Sequence, residues 1–113
     1  MALNRLEKTA SAAAMVETIV GCKWSLRILT LIRQDVNRPG LITRSIDGLT
    51  TKVQNDCLQK MVNFGILKKL SYPETPPHVE YKLTAFGQRF ITILDAIEAL
   101  QQELDTDRKV TLN

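Results

Sequence analysis

The sequence predicts a mainly α-helical single domain carrying one small β-hairpin, and three observations lead there. Apolar residues recur at the 3–4 spacing of helices along most of the chain, from Leu3 to Leu104. The period changes to strand-like in only two short runs, residues 66–72 and 79–83. Between them, Pro73-Glu74-Thr75-Pro76-Pro77-His78 is too proline-rich for a helix or a central strand, which makes it the tip of a hairpin. The 113 residues are 44% hydrophobic and 24% charged, enough for one core and unlike a disordered or fibrous chain.

The elements follow in order. Leu3, Leu6, Ala10, Ala13, Val16 and Val20 define an opening helix over 3–20, with Gly21 as its break. Trp24, Ile28, Leu31 and Ile32 give the buried face of a second helix whose other face carries Lys23, Arg27 and Arg33. Asn37-Arg38-Pro39-Gly40 is a turn in which the proline can open a helix, and Leu41, Ile42, Ser45 and Ile46 supply about two turns before Asp47-Gly48 ends them. Thr50 is a natural N-cap for a fourth helix from 51 to about 63, with Leu58, Met61 and Val62 inward and Gly65 as its left-handed stop. After the hairpin, Thr84 caps a last helix. There Phe86, Phe90, Ile93, Ile97, Leu100 and Leu104 form a heptad-type stripe, with Ile91 and Leu94 as a second strip beside it. That is more apolar surface than one small domain covers, so a second subunit is expected on it.

Charge is unevenly placed. Residues 23–89 carry 11 Lys and Arg against 5 acids, a net +6, whereas residues 90–113 are net −3 and residues 1–22 are neutral. A basic middle suits a polyanion partner. No apolar stretch approaches the ~20 residues needed to cross a bilayer, so no membrane partner is expected. Glu7 and Lys8 interrupt any apolar signal segment, and two cysteines are too few for a stapled secreted scaffold, so a cytoplasmic site is expected.

Helix, turn, helix and hairpin in that order is the winged-helix arrangement, in which the second helix of the pair enters the major groove and the hairpin reaches the flanking backbone. The polar residues fall on those elements. Thr50, Thr51, Lys52, Gln54 and Asn55 crowd the start of the fourth helix, and Lys68, Lys69, His78 and Lys82 dress the hairpin. These nine are the candidate contacts to double-stranded DNA.

Gly21-Cys22-Lys23-Trp24, Gly48-Leu49-Thr50, Leu58-Gln59-Lys60-Met61, Gly65-Ile66-Leu67 and the string from Tyr72 to Thr84 with Gly87 resemble the HxlR family of bacterial winged helix-turn-helix transcriptional regulators, within the MarR-like superfamily. The resemblance covers residues 15–104. It implies a homodimer on operator DNA, joined through the first helix (1–20, with Leu3 and Leu6) and the last (84–105, with Phe86, Phe90, Ile93, Ile97, Leu100 and Leu104). A helix-turn-helix over 41–64, a wing over 66–83 and a tail over 106–113 complete this division. The function expected is a dimeric repressor on a palindromic operator, its small-molecule effector unknown; the alternatives are a winged helix used for protein contact alone and a thiol-based redox-responsive regulator.

Three departures from the family pattern stand out. Arg38-Pro39-Gly40-Leu41-Ile42 replaces the usual start of the third helix, which is then expected to begin later or pack differently. Gln54 stands where the family places an inward Leu, and either contacts DNA with Val53 turned inward or is a buried amide needing a partner. Cys57 stands where an Arg is common, and Ala10-Ser11-Ala12 lacks the cysteine with which some members sense oxidants. Cys22, at a helix start beside Lys23, and Cys57, midway along the fourth helix, are the possible redox residues. Their facing is unknown, and a direct pair within one chain is not expected.

No catalytic residue, metal site or cofactor is expected. One histidine on a proline-rich loop supports neither a His-based triad nor a His-rich metal site, and the cysteines form no Cys-x-x-Cys pair.

Overall fold

The computed structural model describes residues 11–112, with side chains described through Asp107. It contains α1 (Ala12–Val20), α2 (Lys23–Arg33), α3 (Pro39–Ser45), α4 (Thr51–Asn63), β1 (Leu67–Tyr72), β2 (His78–Leu83) and α5 (Ala85–Leu112). Segment 3–10 of the expected opening helix, with Leu3 and Leu6, lies outside the described residues. Ser11 is the N-cap of α1, its hydroxyl accepting from the Ala14 N–H at 3.1 Å.

Local chemistry fixes most element ends. Pro39 is the first residue of α3, where its missing N–H costs nothing, so that helix starts no later for its departure from the family pattern. The Thr50 hydroxyl accepts from the Val53 N–H at 3.1 Å and opens α4. At the other end Gly65, at φ +84°, lets its own N–H reach Val62 O (2.9 Å) and the Ile66 N–H reach Met61 O (3.0 Å), the paired bonds of a Schellman stop.

The hairpin pairs antiparallel from Leu67 with Leu83 to Tyr72 with His78. His78 therefore belongs to β2 rather than to the tip, and the loop is the five residues Pro73 to Pro77. A third backbone joins it: the Tyr81 N–H donates to Asn37 O at 2.9 Å, tying the wing to the segment before α3.

The core gathers Met15 and Ile19 of α1, Ile28, Leu29 and Ile32 of α2, Ile42 of α3, Leu58 and Met61 of α4, and Ile66, Leu67 and Tyr81 at the wing. From α5 it takes Phe90, Ile91 and Leu94. Phe90 is only 3% exposed, which corrects its expected place in the dimer stripe: it faces its own chain. The cause lies at the start of the helix. Thr84 Oγ1 donates to Gly65 O at 2.5 Å and accepts from the Gly87 N–H at 2.8 Å. Gly87 lies so close to Ile66 that a Cβ would stand 2.1 Å from its carbonyl oxygen. These contacts set the rotation of α5 and turn Phe90, Ile91 and Leu94 inward.

α5 continues past residue 105 as helix to Leu112, so residues 106–112 of the expected tail are part of it. Its distal half stands away from the body: the radius of gyration is 16.5 Å, against about 13 Å for a compact domain of this length.

Candidate nucleic-acid interface

The turn between α3 and α4 is built on Gly48, at φ +84°, packed against the Trp24 ring, with Ile46 and Leu49 buried on either side. It presents α4 with one face in the core and one in solvent. Gln54, Cys57, Leu58 and Met61 are buried; Thr51, Lys52, Asn55, Asp56, Gln59 and Lys60 are exposed.

Gln54 is thereby corrected as a DNA contact. It is 1% exposed, and its Oε1 accepts a 2.7 Å hydrogen bond from the Thr43 hydroxyl of α3. A buried amide without a partner would cost about 1–3 kcal/mol, and Thr43 supplies one. Val53, half-buried, packs against the core beside it.

Thr50, Thr51, Lys52 and Asn55 lie together at the exposed start of α4. Lys52 Nζ meets Asp56 at 3.1 Å, a pair so exposed that it contributes under about 1 kcal/mol and leaves the lysine available. Gln59, exposed and one turn beyond Asn55, extends the same face, and its Nε2 donates to Asn63 Oδ1 at 2.9 Å. Sequence reading missed it, although the spacing 52, 55, 59 is the helical repeat that would have found it. No acidic side chain stands in the first turn of α4, so its free N–H groups and positive dipole end face solvent unopposed.

On the wing, Lys68 and Lys82 are directly opposite in the register and both exposed. Like charges across a strand pair repel, and an anion placed between them removes that cost. Lys69 is also exposed, but strand alternation sends it to the other face with Tyr81. His78 is engaged: its ring stacks on Tyr72 (centroids 4.7 Å apart), Nε2 lies 3.2 Å from Glu80 and Nδ1 3.6 Å from Glu74. Glu80 also meets Arg38 at 3.6 Å, so a chain of charged groups links the start of α3 to the wing.

Both redox candidates occupy their expected places, Cys22 at the start of α2 and Cys57 midway along α4, and the structure adds their facing. Cys57 is 7% exposed and faces α2, away from the exposed polar side of α4. Its Sγ lies 4.0 Å from Sγ of Cys22, the N-cap of α2, which overturns the expectation that the two would not meet. Burial pushes the Cys57 thiol up from its ordinary value, reinforced by the neighbouring Cys22 sulfur. Burial acts the same way on Cys22, but hydrogen bonds from the side chain and backbone of Ser25 and the backbone of Trp24 outweigh it and bring that thiol down.

Along α5, Phe86, Ile93, Ile97, Leu100 and Leu104 are between 37% and 58% exposed. The stripe continues into a groove of about 340 Å³ between α2 and α5, lined by Val20, Leu26, Leu29 and Ile91 and flanked by the Arg33–Asp95 ion pair at 2.9 Å. Among the described residues no cluster of three His, Cys, Asp or Glu could hold a metal, and no helix is long and apolar enough to cross a membrane.

A short turn joining two packed helices, followed by a two-stranded wing, defines a winged helix-turn-helix protein. The chain belongs to the HxlR-like helix-turn-helix family, which matches residues 19–108. It is 36% identical over 70 residues to the HTH-type transcriptional regulator YtfH of Escherichia coli K12, an alignment covering 62% of this chain and 56% of YtfH. It therefore spans little more than half the length of that relative. The regulatory protein MalR of Fusobacterium mortiferum is 29% identical over 102 residues, 89% of this chain and 96% of MalR. In structure it is similar to a MarR-family transcriptional regulator from Enterococcus faecalis V583, with TM-score 0.75, 28% identity, and coverage of 83% of this chain and 86% of that one. The family consists of transcriptional regulators rather than enzymes.

Proposed function

We propose that the chain is a homodimeric repressor that binds a palindromic DNA operator, with α4 in the major groove and the wing on the adjacent backbone. The observation that carries this reading is the exposed polar face of α4, Thr51, Lys52, Asn55 and Gln59, held on a rigid seat by the buried face of the same helix. Asn and Gln side chains suit adenine edges, and Lys suits guanine or phosphate. Lys68 and Lys82 form a paired cationic spot for the backbone, which positions without specifying. Lys69 and His78 contribute at the margins of the wing.

The second copy sits on the α5 stripe. The spacing of its exposed residues, 7, 4, 3 and 4 from Phe86 to Leu104, is that of a helix seam packing against its own symmetry mate. Repression follows from occupancy: a dimer covering an operator within a promoter excludes the polymerase. The reading also places the protein in the cytoplasm, where its DNA is.

Selection of duplexes from a random pool at physiological salt tests the proposal. A two-fold symmetric consensus is expected. Recovery of no preferred sequence, or binding without salt dependence, would instead favour a winged helix used for protein contact alone.

A further inference from the structure

We propose that Cys22 and Cys57 form a disulfide-closing pair within one chain, and that closing it loosens the grip of α4 on DNA; the second half rests on the operator-binding reading above. The sulfurs lie 4.0 Å apart, and a disulfide needs about 2.05 Å, so each has to move by about 1 Å. The two sites divide that movement unequally. Cys57 is held inside α4, where helix rotamers are restricted, but Cys22 sits on extended backbone at φ −120° and ψ 106°, where a side-chain rotation is open to it. Ser25, itself buried, favours the charged form of both thiols, so the pair has a polar neighbour rather than being sealed in hydrocarbon.

The roles differ. Cys22 is half-exposed and stands at the N-terminus of α2, where the N–H groups of Trp24 and Ser25 favour thiolate. It is the residue that meets an oxidant. With a hydroperoxide, the Cys22 thiolate attacks the outer oxygen, an S–O bond forms, the O–O bond breaks, and the alkoxide or hydroxide leaves and takes a proton from solvent. The buried Cys57 gives up its proton and attacks the sulfenyl sulfur; the S–S bond forms, the S–O bond breaks, and hydroxide leaves with that proton as water. Two thiols are oxidised and one peroxide is reduced to an alcohol and water.

The consequence reaches DNA because Cys57 lies between Asn55 and Gln59 on α4. A bond drawing the middle of α4 toward the α2 N-terminus shifts those side chains relative to the base edges, while Lys68 and Lys82 on the wing stay in place. Losing one base contact corresponds to about a tenfold loss of operator affinity, with nonspecific binding unchanged.

The test uses the whole reduced chain, first titrated against its selected operator so that failure to bind DNA is recognised separately. It is then treated with hydrogen peroxide or diamide. Expected are a mass loss of about 2 Da, from two hydrogens, a Cys22–Cys57 linked peptide from a species running as a single chain without reductant, and an affinity loss of about tenfold reversed by dithiothreitol. The disulfide assignment needs no variant and no DNA; Cys22→Ser and Cys57→Ser serve as controls that keep their affinity under oxidant. Thiols that stay reduced, disulfides formed only between chains, or an intrachain disulfide that leaves affinity unchanged would each overturn the proposal.

Discussion

Thr43 of α3 and Gln54 of α4 join the two helices of the helix-turn-helix through one short hydrogen bond, 2.7 Å from Oγ1 to Oε1, inside the core. The Thr43 hydroxyl also lies 3.0 Å from the Pro39 carbonyl, so it has an alternative acceptor if Gln54 is replaced. Gln54→Leu is accordingly expected to change stability by less than about 1.5 kcal/mol. Gln54→Ala leaves a cavity and is expected to cost about 2–4 kcal/mol. Urea unfolding measures both, and folded Gln54→Leu should bind the operator like the parent, since the side chain does not reach solvent.

Lys52 and Asn55 are expected to read sequence, and Lys68 and Lys82 to hold the backbone. Alanine at either of the first two should cost about 1–3 kcal/mol on the operator and little on random DNA. Alanine at either of the latter two should weaken binding to both and reduce the salt slope by about one. Fluorescence anisotropy on the two duplexes over a salt series separates the pairs.

The two apolar strips of α5 should respond in opposite ways to substitution. Phe90→Ala removes a core ring and is expected to cost about 3–5 kcal/mol of stability. Ile93→Asp with Ile97→Asp changes only exposed positions, so the protomer should stay folded while sedimentation reports a monomer. A wild-type protein that sediments as a monomer at micromolar concentration would contradict the dimer.

Gly87→Ala is the sharpest test of how α5 is seated. The new methyl would overlap the Ile66 carbonyl, a backbone atom that cannot rotate away, so the helix must lift off the wing. A loss of about 1–3 kcal/mol or more is expected in thermal unfolding.

Cys22 should be alkylated by iodoacetamide before Cys57. Burial opposes ionisation at both; hydrogen bonds from Ser25 and Trp24 outweigh it at Cys22, whereas at Cys57 the Ser25 side chain does not. The labelling rate of Cys22 should therefore level off at a lower pH than that of a free cysteine, with peptide mass mapping as the readout.

Much of this fold could be read from local chemistry. Pro39, Thr50, Gly65 and Thr84 act within a turn of their own position, and each marks the element boundary it announces. What escaped was facing. Gln54, Cys57, Leu58 and Met61 are spaced as a buried stripe, but an amide among them reads as polar until its partner is known, and Thr43 lies on another helix. On α5 the sequence offers two adjacent apolar strips and no means of choosing; contacts of Thr84 and Gly87 with Gly65 and Ile66, about twenty residues away, decide it. The meeting of Cys22 with Cys57 has the same origin, since it depends on how α2 crosses α4.

The most direct test of the central claim is a footprint of the dimer on a selected duplex, in parallel with the Lys52→Ala and Asn55→Ala variants. Two α4 helices in successive major grooves should protect two half-sites about 34–36 Å apart, or a multiple of that, with the protection weakened by either substitution. Protection of a single unsymmetrical site, or of none at physiological salt, would contradict it.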